Sequence, residues 1–292
     1  MFAEKGLINL TKIKVVIPTF NAGSKFDVLL KALCTQKNLN EKDIVIIDSS
    51  SKDDTVKVAQ KYGVEVISID QKDFGHGKTR ALAVENAIGV DIVVFMTQDV
   101  LPVDKNTISN LVDYLENDEN LAAVYGKQIP YDDTDIFGKF ARIYNYGDMS
   151  FKKQLSDKKK YGIKTAFLSD SFAAYKRDIV LKLGNFMDVN FGEDMCMAAK
   201  MLMAGYRTGY CADAKVYHSH SYSLREEFTR CRLIGRFHKE QAWLINNFGN
   251  AEGEGIKFVI SEAKYLLKQG KYYLLPQMFI RNLVKFLAYK FI

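Results

Sequence analysis

Between residues 13 and 125 the chain alternates short apolar, β-branched runs with longer amphipathic stretches. Residues 13–18, 43–47, 64–69, 92–96 and 121–125 read as strands, and 25–36, 54–62, 77–88 and 105–116 as helices. This is the pattern of repeated βαβ units, and right-handed crossovers between parallel neighbours give a doubly wound sheet. The fold class expected is therefore α/β, a mostly parallel sheet flanked by helices. Residues 136–160 turn aromatic and charged, which reads as a loop and helix on the ligand edge of the sheet. Short extended pieces follow at 165–168, 172–175 and 214–217, with helices after Arg177 and from Glu193. Asn246-Asn247-Phe248-Gly249-Asn250 and the glycines Gly253 and Gly255 break the helical pattern. They divide an expected catalytic domain, 1–250, from a basic amphipathic helical extension, 251–292.

Composition closes several classes. An apolar content of 48% in 292 residues is ample for a core and excludes a disordered chain. Cys34, Cys196, Cys211 and Cys231 form no C-x-x-C pair, which argues against a zinc knuckle or a disulfide framework and fits small core residues in a reducing cytosol. The chain shows no signal peptide and no window near the roughly 20 apolar residues of a spanning helix, so a cytoplasmic protein is expected. The net charge of +6 is mild, and no nucleic-acid partner is expected. Its distribution says more: Lys257, Lys264, Lys268, Lys271, Arg281, Lys285 and Lys290 interleave with aromatic residues. Such a tail can lie on the anionic inner face of the cell membrane, or cap the domain with a solvated basic face.

Candidate chemistry gathers at strand ends. In an open α/β sheet, ligands bind outside the carboxyl ends of the strands, so Asp48 and Asp99, each closing an apolar run, deliver carboxylates to one crevice. In Val16-Ile17-Pro18-Thr19-Phe20-Asn21, Pro18 is expected to end the ladder and turn Thr19 and Asn21 toward a ligand. Asp48 can accept from a base N–H or a ribose hydroxyl. It opens the polar turn that holds Ser50, in which Ser51 or Asp53 serves equally well as a helix N-cap. The segment Gly75-His76-Gly77-Lys78-Thr79-Arg80 fails as a phosphate loop, because Lys72 stands where the first glycine belongs. What remains is either a glycine-loosened turn, with Gly77, Lys78 and Arg80 able to meet a pyrophosphate at a helix N-terminus, or a solvated surface loop. Asp99, beside Gln98, offers a hard oxygen to a divalent cation. His218 and His220 share one face of an extended segment and either add a ligand or stand exposed and free. Glu193-Asp194 opens a helix, where acids are favoured by the macrodipole in any case. Adjacent helical positions diverge by about 100°, so only one of the pair is expected to act as a base, with Gly192 admitting an acceptor.

These residues, taken in order over about residues 13–240, resemble the family-2 inverting glycosyltransferases of the GT-A fold, and more narrowly the bacterial rhamnosyltransferases that build cell-surface polysaccharides. The carriers are Ile17-Pro18-Thr19-Phe20-Asn21, Asp48-Ser49-Ser50-Ser51, Phe74-x-His76-Gly77-x-Thr79-Arg80, Thr97-Gln98-Asp99, Gly192-Glu193-Asp194 and His218-Ser219-His220. The resemblance implies that Thr19, Asn21 and Asp48 hold the nucleotide, that Arg80 places the diphosphate, that Asp99 binds Mg²⁺ or Mn²⁺, and that Asp194 is the base. It implies a nucleotide-sugar donor, dTDP-L-rhamnose or alternatively a UDP-hexose, and a glycan or lipid-linked glycan acceptor. A sugar-nucleotide-binding module without catalysis is the reading from another class. Two departures stand out: D-x-D is reduced to Thr97-Gln98-Asp99, and the Q-x-x-R-W of processive synthases is absent, which implies transfer of a single sugar.

Overall fold

The computed structural model describes residues 11–250 and 253–291. Its strands are β1 (Ile13–Thr19), β2 (Ile44–Asp48), β3 (Glu65–Ser68), β4 (Ile92–Met96), β5 (Leu101–Pro102), β6 (Leu121–Ile129), β7 (Phe151–Lys153), β8 (Phe172–Lys176) and β9 (Arg207–Tyr217). They form one sheet in the order β3-β2-β1-β4-β8-β6-β9-β5, with β7 also pairing β9. The run β3-β2-β1-β4 is parallel, and β6 and β9 are parallel to each other. The strand β8 lies antiparallel between β4 and β6, and β5 and β7 run antiparallel to β9, so the sheet is mixed, with β5, β7 and β8 opposing the common direction.

Each central strand is apolar throughout because both faces of the sheet are covered. Val15 and Ile17 point to one side, where Phe26, Leu29, Leu30 and Leu33 of the helix Lys25–Leu33 and Ile108, Leu111 and Leu115 of Thr107–Glu116 pack on them. Val16 points to the other side, against Ala83 and Val84 of the helix His76–Asn86 and Met197 and Met201 of Glu193–Met203.

Three expectations about elements change. The ladder does not end at Pro18, which pairs with Ile47 while Thr19 pairs with Asp48. Thr19 accepts from Ser49 on the β2 side, so Pro18 turns its missing N–H toward β4, where pairing has already ended at Val16. Residues 165–168 are not a strand: Gly162–Ala166 is a 3₁₀ turn, and so short an apolar run has no period to tell the two apart. The aromatic segment 136–160 contains the helix Ile136–Asn145 and also the edge strand β7.

Residues 253–291 pack against the preceding part of the chain. The helix Leu275–Lys290 lies along Leu224–Glu240, and buried Arg281 faces Glu227 at 3.5 Å and the Phe137 ring at 4.6 Å. Phe258 and Tyr265 of Glu254–Lys268 meet Phe140 at 5.1 and 5.3 Å between ring centroids. The outer side still exposes Ile256, Tyr272, Phe279, Phe286 and Phe291. Among the described residues, no helix is long and apolar enough to cross a membrane. Cys196 and Cys211 are buried, as expected, and Cys34 and Cys231 are half-buried; all four thiols are free.

Candidate active site

The carboxyl ends of β1, β2 and β4 meet in one hydrogen-bonded edge. Buried Asp48 accepts from Thr19 Oγ1 at 2.9 Å, from Ser51 N at 2.9 Å and from Ser51 Oγ at 2.5 Å. Asn21, in the left-handed region at φ 46°, accepts from Lys52 N at 2.8 Å, and its own N–H donates to Ser51 Oγ at 2.8 Å. Asp53 is not the N-cap of the helix Thr55–Lys61; that position is Asp54. Instead Asp53 accepts from Gly23 N at 3.0 Å and Thr55 N at 3.0 Å, tying the β1 loop to the β2 loop. Ser50, exposed and also left-handed at φ 64°, donates to Ile69 O at 3.0 Å beyond β3. Gln98 accepts from Phe20 N at 2.8 Å and donates to Phe20 O at 3.2 Å, which consumes both ends of its amide in locking the β4 loop to the β1 loop. Pro18, Ser50 and Gln98 thus shape this edge, with Gln98 directed at the protein instead of a ligand.

The next group is Asp99, His218 and His220, whose ligand atoms lie within 4.8 Å of one another. His218 Nε2 and His220 Nε2 sit 3.4 and 3.5 Å from Asp99 Oδ2 and 3.1 Å from each other. His218 Nδ1 faces Gln128 Oε1 at 2.8 Å. A carbonyl oxygen only accepts, so Nδ1 carries a proton there, and Nε2 is the atom that faces Asp99 and His220. Burial, aided by the His218, Arg142 and Arg230 charges, lowers His220 to about 4, leaving it a neutral imidazole near pH 7. The adjacent histidines and the Thr97 hydroxyl hold the Asp99 carboxyl well below the usual carboxylate range, against the opposing effect of burial. Two imidazole nitrogens and a carboxylate oxygen converging here form a donor set that fits a divalent cation.

The third group is buried. Arg80 is only 3% exposed, its Nε 2.7 Å from Asp170 Oδ2 and its Nη1 2.6 Å from Glu193 Oε1. This corrects its assignment to a diphosphate: the guanidinium is spent on two carboxylates inside the protein. Gly77 is likewise turned inward, its N–H donating to Val189 O at 3.3 Å, and an added Cβ would stand 1.7 Å from Met187 O. Lys78 remains at the surface, 3.2 Å from Asp73. Glu193 and Asp194 diverge as helical geometry requires: Glu193 meets Arg80, while Asp194 accepts from Met195 N at 2.7 Å and Asp170 N at 3.3 Å. Burial, then the Glu193 and Asp170 charges, raise the Asp194 carboxyl well above its ordinary range. Burial likewise raises Asp170 to about 6. The space beside Gly192 is not open to an acceptor, because its Cβ direction is filled by the Phe237 ring at 2.4 Å; its φ of 75° is what requires glycine.

Sequence reasoning missed Asp170, Gln128, Arg142 and Arg230. Asp170 precedes β8, and β8 is antiparallel, so its leading end falls where the parallel strands finish; a search confined to residues after strands passes over it. Gln128 joins the groups: it donates to Ser169 Oγ at 3.0 Å, accepts from Arg142 Nη1 at 2.6 Å and faces His218. Asp99, His218, Gln128, Ser169, Asp170 and Asp194 therefore form one continuous polar path.

The profile of Glycosyl transferase family 2 matches residues 14–184. The chain belongs to that family. It is 43% identical to the O-antigen chain rhamnosyltransferase RfbN of Salmonella typhimurium, covering 96% of this chain and 88% of that protein. It is 42% identical to the O-antigen chain rhamnosyltransferase WbaN of Salmonella anatum, with 94% and 87% covered. Among solved structures, the mannosyltransferase PcManGT from Pyrobaculum calidifontis in complex with GDP-Man and Mn²⁺ matches with a TM-score of 0.65, at 16% identity, over 95% of this chain and 86% of that one. That likeness concerns the fold, and the GT-A architecture expected from the sequence is the one observed.

Proposed function

We propose that this family 2 glycosyltransferase moves a single rhamnose from dTDP-L-rhamnose onto a cell-surface polysaccharide or lipid-linked glycan, with inversion at the anomeric carbon. The observation that carries the donor and acceptor is the 43% identity, over 96% of the chain, to a protein named as an O-antigen chain rhamnosyltransferase. The site supports the reaction class. Thr19, Asn21 and Asp48 would hold the nucleotide at the ends of β1 and β2. Asp99, His218 and His220 would hold the divalent cation, which when bound neutralises charge on the leaving diphosphate. Two imidazoles in three ligands favour Mn²⁺ over Mg²⁺, since Mg²⁺ prefers oxygen. Arg142 and Arg230, whose charges reach His220, are better placed than Arg80 to meet the diphosphate.

Asp194 takes the proton of the acceptor hydroxyl, which attacks the anomeric carbon from the face opposite the departing nucleoside diphosphate. Its raised affinity for a proton suits a base, provided it is ionised at the working pH. Glu193 and Asp170 act through it, fixed by Arg80. The polar path from Asp99 to Asp194 argues against a module that binds nucleotide-sugars without catalysis. A screen of dTDP-L-rhamnose and UDP-hexoses, with Mn²⁺ or Mg²⁺, tests the donor: turnover confined to a UDP-hexose would reject the rhamnosyl reading.

The exposed apolar residues on the outer side of residues 253–291, with the lysines beside them, support docking of the enzyme on the inner face of the cell membrane. Flotation with anionic and neutral vesicles tests it; equal behaviour with both would leave these helices as a cap alone.

A further inference from the structure

A cavity of about 660 Å³ opens between β7, the 3₁₀ turn Gly162–Ala166 and the start of the helix Glu254–Lys268, and none of its lining residues belongs to the Asp99 group. Seven lysines line it against one acid, Glu254. Glu254 is already paired with Lys164 and Lys257, at 2.5 and 2.8 Å, and Lys152 pairs with Asp118 at 2.7 Å. Lys153, Lys158, Lys159 and Lys160 have no carboxylate within ion-pair distance among the described residues. Lys153 donates to a neutral carbonyl, Lys164 O, at 2.6 Å, with its ammonium 5.3 Å from the Phe151 ring centre and 5.9 Å from that of Tyr161. Burial, with the Lys164 charge, lowers it to about 8. A half-buried ammonium among other cations is costly unless an anion joins it.

Two rings of the lining belong to an aromatic cluster that extends to Tyr146. Phe167 and Tyr125 meet there at 5.5 Å, and Tyr125 packs on Tyr146 at 6.3 Å. Burial raises the Tyr146 hydroxyl above its ordinary range, with a smaller contribution from the Asp194 charge. Phe167 also stands three residues before Asp170.

We propose that this cavity is a second anion site, binding the phosphate or diphosphate group of the acceptor. Assigning the anion to an acceptor rests on the transferase reading; anion binding itself does not. Lys153, Lys159 and Lys160 supply charge, while Phe151 and Tyr161 offer ring faces to the sugar or chain attached to the phosphate.

Calorimetry with inorganic pyrophosphate, in EDTA and without donor, tests the site. Binding is expected, weakened about tenfold or more by Lys153→Met and by the surface double variant Lys159→Ser with Lys160→Ser, and unchanged by Asp99→Ala. The double variant keeps the test decisive if Lys153→Met fails to fold. Farnesyl diphosphate binding more tightly than pyrophosphate supports a lipid-linked source, and equal affinity supports a soluble one. No pyrophosphate binding, or binding lost in Asp99→Ala and kept in the lysine variants, overturns the proposal. Absence of sugar transfer with these binding results intact would refute the transferase reading and leave the anion site standing.

Discussion

The two acidic regions of the crevice are built on opposite plans. Around Asp99, whose side chain is 43% exposed, the contacts are two imidazole nitrogens and a hydroxyl, so possible metal donors converge, and no guanidinium pairs with Asp99 among the described residues. Around Asp194, three acids crowd one buried guanidinium, so the positive charge is fully used and the surplus negative charge favours keeping a proton. On the proposed function, the same residue type serves as a ligand in one place and a base in the other because of what surrounds it.

Arg80→Met should break this contrast most severely, because it strands Asp170 and Glu193 as buried charges; a loss of about 3–5 kcal/mol in urea denaturation is expected. A loss near zero would mean the acids are already protonated and the guanidinium is dispensable. Asp99→Ala should act on the other region alone: donor affinity in Mn²⁺ falls about tenfold or more, EDTA has no further effect, and folding stability barely moves. Full wild-type activity in EDTA would remove the cation from the account. Gly192→Ala should cost about 1–3 kcal/mol, since the methyl meets the Phe237 ring at a left-handed φ. The smallest effect sharpens the base assignment. Asp194 must be ionised to act, and its proton is held by burial and by the Glu193 and Asp170 charges, so activity should fall with acidification at a pH above the ordinary carboxylate range. Asp170→Asn removes one of those negative charges, which lowers the Asp194 pKa and should move the acidic limb of kcat/KM to lower pH. An upward movement would contradict the electrostatic reading.

The edge proposed to hold the donor was legible in the sequence because it follows parallel strands, whose apolar runs end visibly in Thr19, Asp48 and Asp99. The helices and strands up to residue 125, except the two-residue β5, were legible because apolar runs alternate there with longer amphipathic stretches. The buried region was half hidden. Glu193 and Asp194 announced themselves at a helix start, but Asp170 belongs to an antiparallel strand, and the destination of Arg80 depends on long-range packing that no local spacing encodes. The long strand β9 was seen only at its end, since Gly209, Cys211 and Ala212 lack the β-branched signal. Gly77 and Gly192 were read as openings for ligands, whereas each accommodates another part of the chain; a glycine reports close approach without saying of what.

The division of labour between the regions is the central claim, and Asp194→Asn tests it most directly when donor affinity by calorimetry and the single-turnover transfer rate are measured on the same protein. The account predicts donor affinity within about twofold of wild type and a transfer rate lower by about 10²–10⁴-fold, because a base acts in the transition state and not in ground-state recognition. A wild-type transfer rate, or a donor affinity that falls in step with the rate, would contradict it.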